Sequence, residues 1–82
     1  MYYVYVLRSK DHNTFYVGST KDLRERILHH NNRDSLSTKR YVPWKLVYYE
    51  AYTSYRLAKT REAKLKHHGK GLAELKKRIL ED

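Results

Sequence analysis

Tyr16-Val17-Gly18 closes an apolar run, and an earlier run, Tyr3-Val4-Tyr5, stands one hairpin upstream. Arg26 follows Gly18 by eight residues, His30 comes four later, and Glu62 stands in the second half of the chain. Together these side chains read as a metal-dependent phosphodiesterase site. Hydrolysis of a phosphodiester needs a water made nucleophilic, charge neutralised on the phosphate, and a stabilised leaving oxygen. Glu62 suits a magnesium ion held by one protein ligand, because magnesium keeps several waters and takes phosphate oxygens into its shell. Such an ion steadies the leaving alkoxide as a Lewis acid. Arg26 suits bidentate contact with the non-bridging oxygens, where charge builds up. A tyrosine, with a pKa of about 10, is a poor base unless its ionised form is stabilised. His30 is the competing base, since an unperturbed imidazole titrates nearer neutrality. The base is therefore Tyr16 or His30, with Tyr5 orienting the water or the other phenol. Each residue also has a structural alternative. The tyrosines can be core aromatics, Arg26 can pair with Asp22, and Glu62 precedes Lys66 by the four residues that favour a helical ion pair.

These side chains need elements to hold them. Residues 2 to 7 are continuously apolar or aromatic, as in a central strand covered on both faces. Ser9-Lys10-Asp11-His12-Asn13 is a turn cluster, and Thr14-Phe15-Tyr16-Val17 reads as the returning strand. A hairpin symmetric about Lys10 and Asp11 sets Tyr5 opposite Tyr16, so that both phenols share a face. Gly18 is expected to end the strand. Ser19 to Asp22 offer helix caps, and Asp22 with Glu25 matches a capping box. The helix should run to about His30, with Leu23 and Ile27 on its buried line and Arg26 and His30 beside it. Asn31 to Val42 is polar and basic and reads as a mobile loop, with Ser35, Ser37, Thr38, Lys39 and Arg40 as phosphate contacts. Trp44 to Tyr52 is a third strand. Ser54 caps a second helix to about His68, with Leu57, Ala58 and Leu65 on its inner stripe. Leu72, Leu75 and Ile79 mark a final helix. The order ββαβαα implies a single α+β domain over residues 1–82: a three-stranded antiparallel sheet flanked by helices.

Composition narrows the partners. The formal net charge is +9 over 82 residues, a field suited to polyanions. The nine tyrosines can stack on unpaired bases as well as fill a core. Lys21, Arg24, Lys39 and Arg40 are the candidate nucleic-acid contacts. The absence of cysteine fits a reducing cytoplasm and excludes thiolate metal sites. No apolar stretch approaches the roughly 20 residues of a membrane span, and the first residues lack the basic start of a signal peptide.

At this point the chain resembles the GIY-YIG endonuclease superfamily, particularly its small stand-alone bacterial members. Tyr3-Val4-Tyr5 stands where the first triplet belongs, and Tyr16-Val17-Gly18 matches the second. Gly18-Ser19-Thr20 with Asp22-Leu23 and Arg26 fits the strand-to-helix pattern. Ala58, Arg61 and Glu62 fit the helix that carries the metal-binding glutamate. The chain departs from the pattern at Tyr3, which replaces a glycine, at Val4, which replaces an isoleucine, and in having no asparagine after Asn32. The resemblance implies a DNA endonuclease using Mg²⁺ or Mn²⁺. Tyr5, Tyr16, Arg26, His30 and Glu62 would be its catalytic residues, with Glu62 as the metal ligand. Branched or single-stranded DNA would be cleaved with little sequence specificity, in repair or recombination and in company with a larger repair protein. The alternatives are a noncatalytic nucleic-acid-binding module on the same fold and an RNA- or ribosome-associated protein.

Overall fold

The computed structural model describes residues 1–67 and 69–80. Its elements are β1 (Tyr2–Ser9), β2 (Phe15–Thr20), α1 (Leu23–Asn31), β3 (Trp44–Tyr52), α2 (Tyr55–His67) and α3 (Gly69–Ile79), with a short 3-10 turn at Lys39–Tyr41. This is the expected α+β order. The strands form one antiparallel sheet in the order β2-β1-β3. The expected end of the second helix, at His68, lies outside the described residues.

The unbroken apolar run of β1 explains its central place. Val4, Tyr5, Val6 and Leu7 are all fully buried, because successive side chains enter opposite faces and both faces are covered. Val4, Val6 and Val17 pack against Ala58, Leu65 and Leu75 of α2 and α3. Tyr5, Leu7 and Trp44 pack on the other face against Leu23 and Ile27 of α1. Each such aliphatic side chain contributes roughly 1.5–3 kcal/mol when fully buried.

Several local expectations are corrected. Gly18 does not end β2, which continues to Thr20. Among the described residues no glycine has a positive φ; Gly18 is needed for space. A Cβ there would overlap the Tyr5 phenol oxygen and lie 2.6 Å from Tyr5 Cζ and 3.0 Å from Tyr16 Cε2. The hairpin register also differs, since Tyr5 faces Gly18 and Tyr16 faces Leu7. That is a shift of two residues, and an even shift keeps both phenols on one face. Leu57 is half exposed, so the inner stripe of α2 is Ala58, Glu62 and Leu65, spaced by four and three.

The segment between α1 and β3 is pinned rather than loose. The Asn31 side chain accepts the Trp44 amide at 2.6 Å and donates to the Trp44 carbonyl at 3.1 Å. Thr38 is fully buried, and its carbonyl accepts Trp44 Nε1–H at 3.0 Å. It is thus a core residue and not a phosphate contact. At the start of α1, the Asp22 carboxylate accepts the Glu25 amide at 3.1 Å, the expected cap. Ser54 Oγ accepts the Leu57 amide at 3.3 Å at the start of α2.

A second tie joins β3 to α2. Glu50 accepts the phenols of Tyr48 and Tyr52, each at 2.5 Å. It also takes a two-point contact from Arg61, at 2.9 and 3.0 Å. Burial alone would raise the Glu50 carboxyl, but the bonds from Arg61, Tyr48 and Tyr52 outweigh it and hold the group below its ordinary value of 4.5.

Two stability measurements follow from this packing. Gly18→Ala should lose about 1–3 kcal/mol in urea unfolding, the usual cost of overfilling a packed site. A lowered folded-state carboxyl adds stability that is present above its unfolded value and lost as pH falls through the folded value. Glu50→Gln should therefore cost about 1.5–3 kcal/mol at neutral pH. The gap to the parent chain should close as the pH drops below 4.5.

Candidate active site

β2 is an edge strand, and the candidate residues gather around it. On the α1 side, the Tyr5 phenol leans across Gly18 toward Tyr16, with ring centroids 6.3 Å apart. Its oxygen lies 2.9 Å from His30 Nε2, and His30 Nδ1 lies 2.8 Å from Thr38 Oγ1. His30 sits there because α1 ends immediately after it. The Arg33 and Asp34 amides bond back to the carbonyls of His30 and His29, at 3.1 and 3.2 Å, with Arg33 at φ 63°.

The electrostatics of this cluster decide proton positions. Burial pushes the Tyr5 phenol up to about 12, against a lowering contribution from the adjacent Arg26 guanidinium. Burial, followed by the charges of Arg26 and His29, lowers the His30 imidazole. A neutral imidazole has one donor and one acceptor nitrogen. The His30 tautomer protonated on Nδ1 lets the buried Tyr5 hydroxyl donate to Nε2. His30 Nδ1–H then donates to Thr38. His30 is 1% exposed and Tyr5 0% exposed, so the pair lies behind Tyr16 and neither side chain faces solvent. Tyr16 is half-buried, 4.9 Å from the His30 ring between centroids, and is the phenol that reaches the surface.

Glu62 approaches from the other face of the sheet. Its carboxylate accepts Ser19 Oγ–H at 2.6 Å and Lys59 Nζ at 3.3 Å on one oxygen, and Lys66 Nζ at 2.7 Å on the other. Burial opposes ionisation, but the Lys66 and Ser19 bonds and the lysine charges prevail and keep the carboxyl below its ordinary range. Lys66 also lies 5.6 Å from the centre of the Tyr16 ring. It therefore spans the strand edge between Glu62 and Tyr16, and the Glu62 charge is felt at Tyr5. Tyr5, Tyr16 and His30 thus meet on one face of the sheet, and Glu62 bonds to β2 from the other.

The donor set fits one hard cation. Among the described residues, no three His, Cys, Asp or Glu side chains gather as a metal cage. Glu62 is an ionised oxygen donor already holding ammonium groups, and water or phosphate oxygens would complete a divalent shell.

The candidate nucleic-acid contacts are spread out. Lys21 and Arg26 line a shared groove of about 290 Å³ at the start of α1, and Lys21 Nζ lies 5.6 Å from the Tyr2 ring centre. Arg24 is exposed on α1, and Lys39 and Arg40 are exposed on the 3-10 turn. Sequence reasoning placed Ser19 among helix caps and missed its bond to Glu62. Strand alternation carries the signal, because Ser19 shares the face of Val17, which packs against α2.

The GIY-YIG catalytic domain family matches residues 1–76. A UPF0213 protein of Clostridium perfringens is 42% identical over 67 residues, covering 80% of this chain and 71% of that protein. A UPF0213 protein of Streptococcus pneumoniae is 35% identical, over 78% of this chain and 65% of the relative's length. The solution structure of a UPF0213 protein from Bacillus halodurans superposes with a TM-score of 0.54 at 32% identity, covering 92% of this chain and 84% of that one. The strand order, the two tyrosine triplets and the family match agree, and the chain belongs to the GIY-YIG nuclease superfamily.

Proposed function

We propose that this chain is a divalent-metal-dependent DNA endonuclease that is structure-selective or weakly specific. The observation that carries the reading is the packing of Tyr5, Tyr16 and His30 on one face of the edge strand β2, with Glu62 bonded to Ser19 on its other face. Arg26 is exposed and would grip the non-bridging phosphate oxygens through its planar fork. Tyr16, half-buried at the edge, would take the proton from the attacking water. His30 would accept the hydrogen bond of the fully buried Tyr5 and so position that phenol, which in turn would orient Tyr16. Glu62 would hold Mg²⁺ or Mn²⁺, which when bound supplies Lewis-acid stabilisation of the leaving oxygen. Lys66, displaced from the carboxylate, would have the phosphate as its next anion. Repair or recombination of branched DNA is the setting that such selectivity fits.

A noncatalytic DNA-binding module is the second reading. The observation favouring it is that Lys59 and Lys66 already neutralise Glu62. The two readings separate on one comparison. With Mg²⁺ or Mn²⁺, the parent chain should nick flapped or branched DNA. Glu62→Gln should lose at least about 10²-fold in rate, as several kcal/mol of charge stabilisation are removed, and should still bind. Binding without cleavage by the parent chain would leave only the module.

Lys66 gives a separate test. An ammonium–carboxylate pair of this exposure is worth up to about 1 kcal/mol. Lys66→Met should therefore lower the metal concentration at half-saturation about fivefold, read as the metal-induced rise in melting temperature. An unchanged midpoint would mean that the ion does not use this carboxylate.

A further inference from the structure

The turn joining β1 to β2 carries a groove that the proposed chemistry does not use. It encloses about 440 Å³ and is lined by Arg8, Lys10, His12 and Lys45, with Asp11 as its one carboxylate. Arg8 and Lys45 are direct cross-strand partners. Like charges placed opposite each other destabilise a sheet. Among the described residues, no carboxylate lies within 4.0 Å of Arg8, Lys10 or Lys45. Lys76 adds a further cation nearby, 4.3 Å from the centre of the Phe15 ring, and Phe15 is the other cross-strand partner of Arg8.

The frame of the groove is fixed. The Lys10 amide donates to the Pro43 carbonyl at 2.9 Å, and Ser9 Oγ–H donates to the Tyr41 carbonyl at 2.7 Å. Ser9 Oγ in turn accepts the His12 amide at 3.2 Å. His12 packs edge-on against Tyr41, with centroids 5.3 Å apart. The repulsion between Arg8 and Lys45 is thus held in place by a braced turn.

We infer that this groove is a second binding site for the phosphodiester backbone, engaging the same DNA molecule at a distance from the bond cleaved. The inference rests on the nuclease reading for its choice of polyanion. Strand geometry sets the spacing. Val4 pairs with Ser19, the residue that meets Glu62. Arg8 lies four residues further along β1, about 13 Å away at the rise of a strand. With about 3.4 Å per nucleotide along each duplex strand, the groove meets phosphates roughly four base pairs from the cleaved bond. Arg8 and Lys45 hold that arm of the DNA, and their electrostatic cost in the free protein is relieved when a phosphate lies between them.

The test compares Arg8→Gln/Lys45→Gln with Arg56→Gln/Lys64→Gln, which removes two exposed cations of α2. Affinity for a flapped duplex is measured by fluorescence anisotropy across a salt series with metal chelated, so that no cleavage intervenes. The groove variant should bind about tenfold more weakly at 0.1 M salt. Its slope of log affinity against log salt should be shallower by nearly 2, one phosphate contact for each cation lost. The α2 variant should lose much less. The groove variant should also melt no lower than the parent chain, because a repulsive pair has been removed. Equal salt slopes for the two variants would overturn the site, showing that only net charge matters. A lower melting temperature would also overturn it, because the cations would then serve the fold. If the parent chain binds and cleaves DNA but the groove variant is unaffected, the groove falls and the nuclease reading stands. If the parent chain binds no DNA, both fall.

Discussion

A phenol buried as deeply as that of Tyr5 must find a partner for its hydroxyl, because an unsatisfied polar group in a core costs roughly 1–3 kcal/mol. The chain meets this demand with a relay rather than a single bond. Tyr5 donates to His30, His30 to Thr38, and the Thr38 carbonyl takes the indole of Trp44. Each link comes from a different stretch of sequence, so the relay joins β1, the end of α1, the following segment and the start of β3. Neutral His30 is the form this relay uses, in agreement with its lowered pKa.

The thinness of the sheet edge then decides how the candidate site is built. Tyr5 and Tyr16 lie on one face of β2, and Ser19 and Glu62 lie on the other. Only a strand without an outer neighbour allows the two groups to act together, and Lys66 already spans that edge. The Glu50 cluster does for β3 what Ser19 and Glu62 do for β2. In both places a carboxylate at or near the surface of α2 or β3 ties the helix layer to an edge strand. The helix is therefore held at both margins of the sheet, which fixes the angle at which Glu62 is presented.

Much of this was legible in the sequence, for identifiable reasons. The six-residue apolar run announced a central strand, Asp22 with Glu25 announced the start of α1, and Ser54 announced α2. Trp44 to Tyr52 matched β3 at both ends. What escaped depended on longer-range geometry. The turn of the hairpin proved to be centred between Asp11 and His12 rather than Lys10 and Asp11. Turn residues alone do not count the rungs of the ladder. Thr38 was polar in a polar segment, and only the proximity of His30 and Trp44 makes it a core residue. Leu57 was apolar beside Ala58, yet the helical phase turns it outward and assigns the inner position to Glu62.

The interlock of Tyr5 with Gly18 carries a consequence for how this chain can change over generations. The two positions are distant in sequence and occupy one volume. A side chain added at position 18 has no room while the ring is present, and a smaller residue at position 5 leaves a void and strands the imidazole of His30. Every single step away from the pair is therefore worse than the start. Routes to another solution must change both positions together.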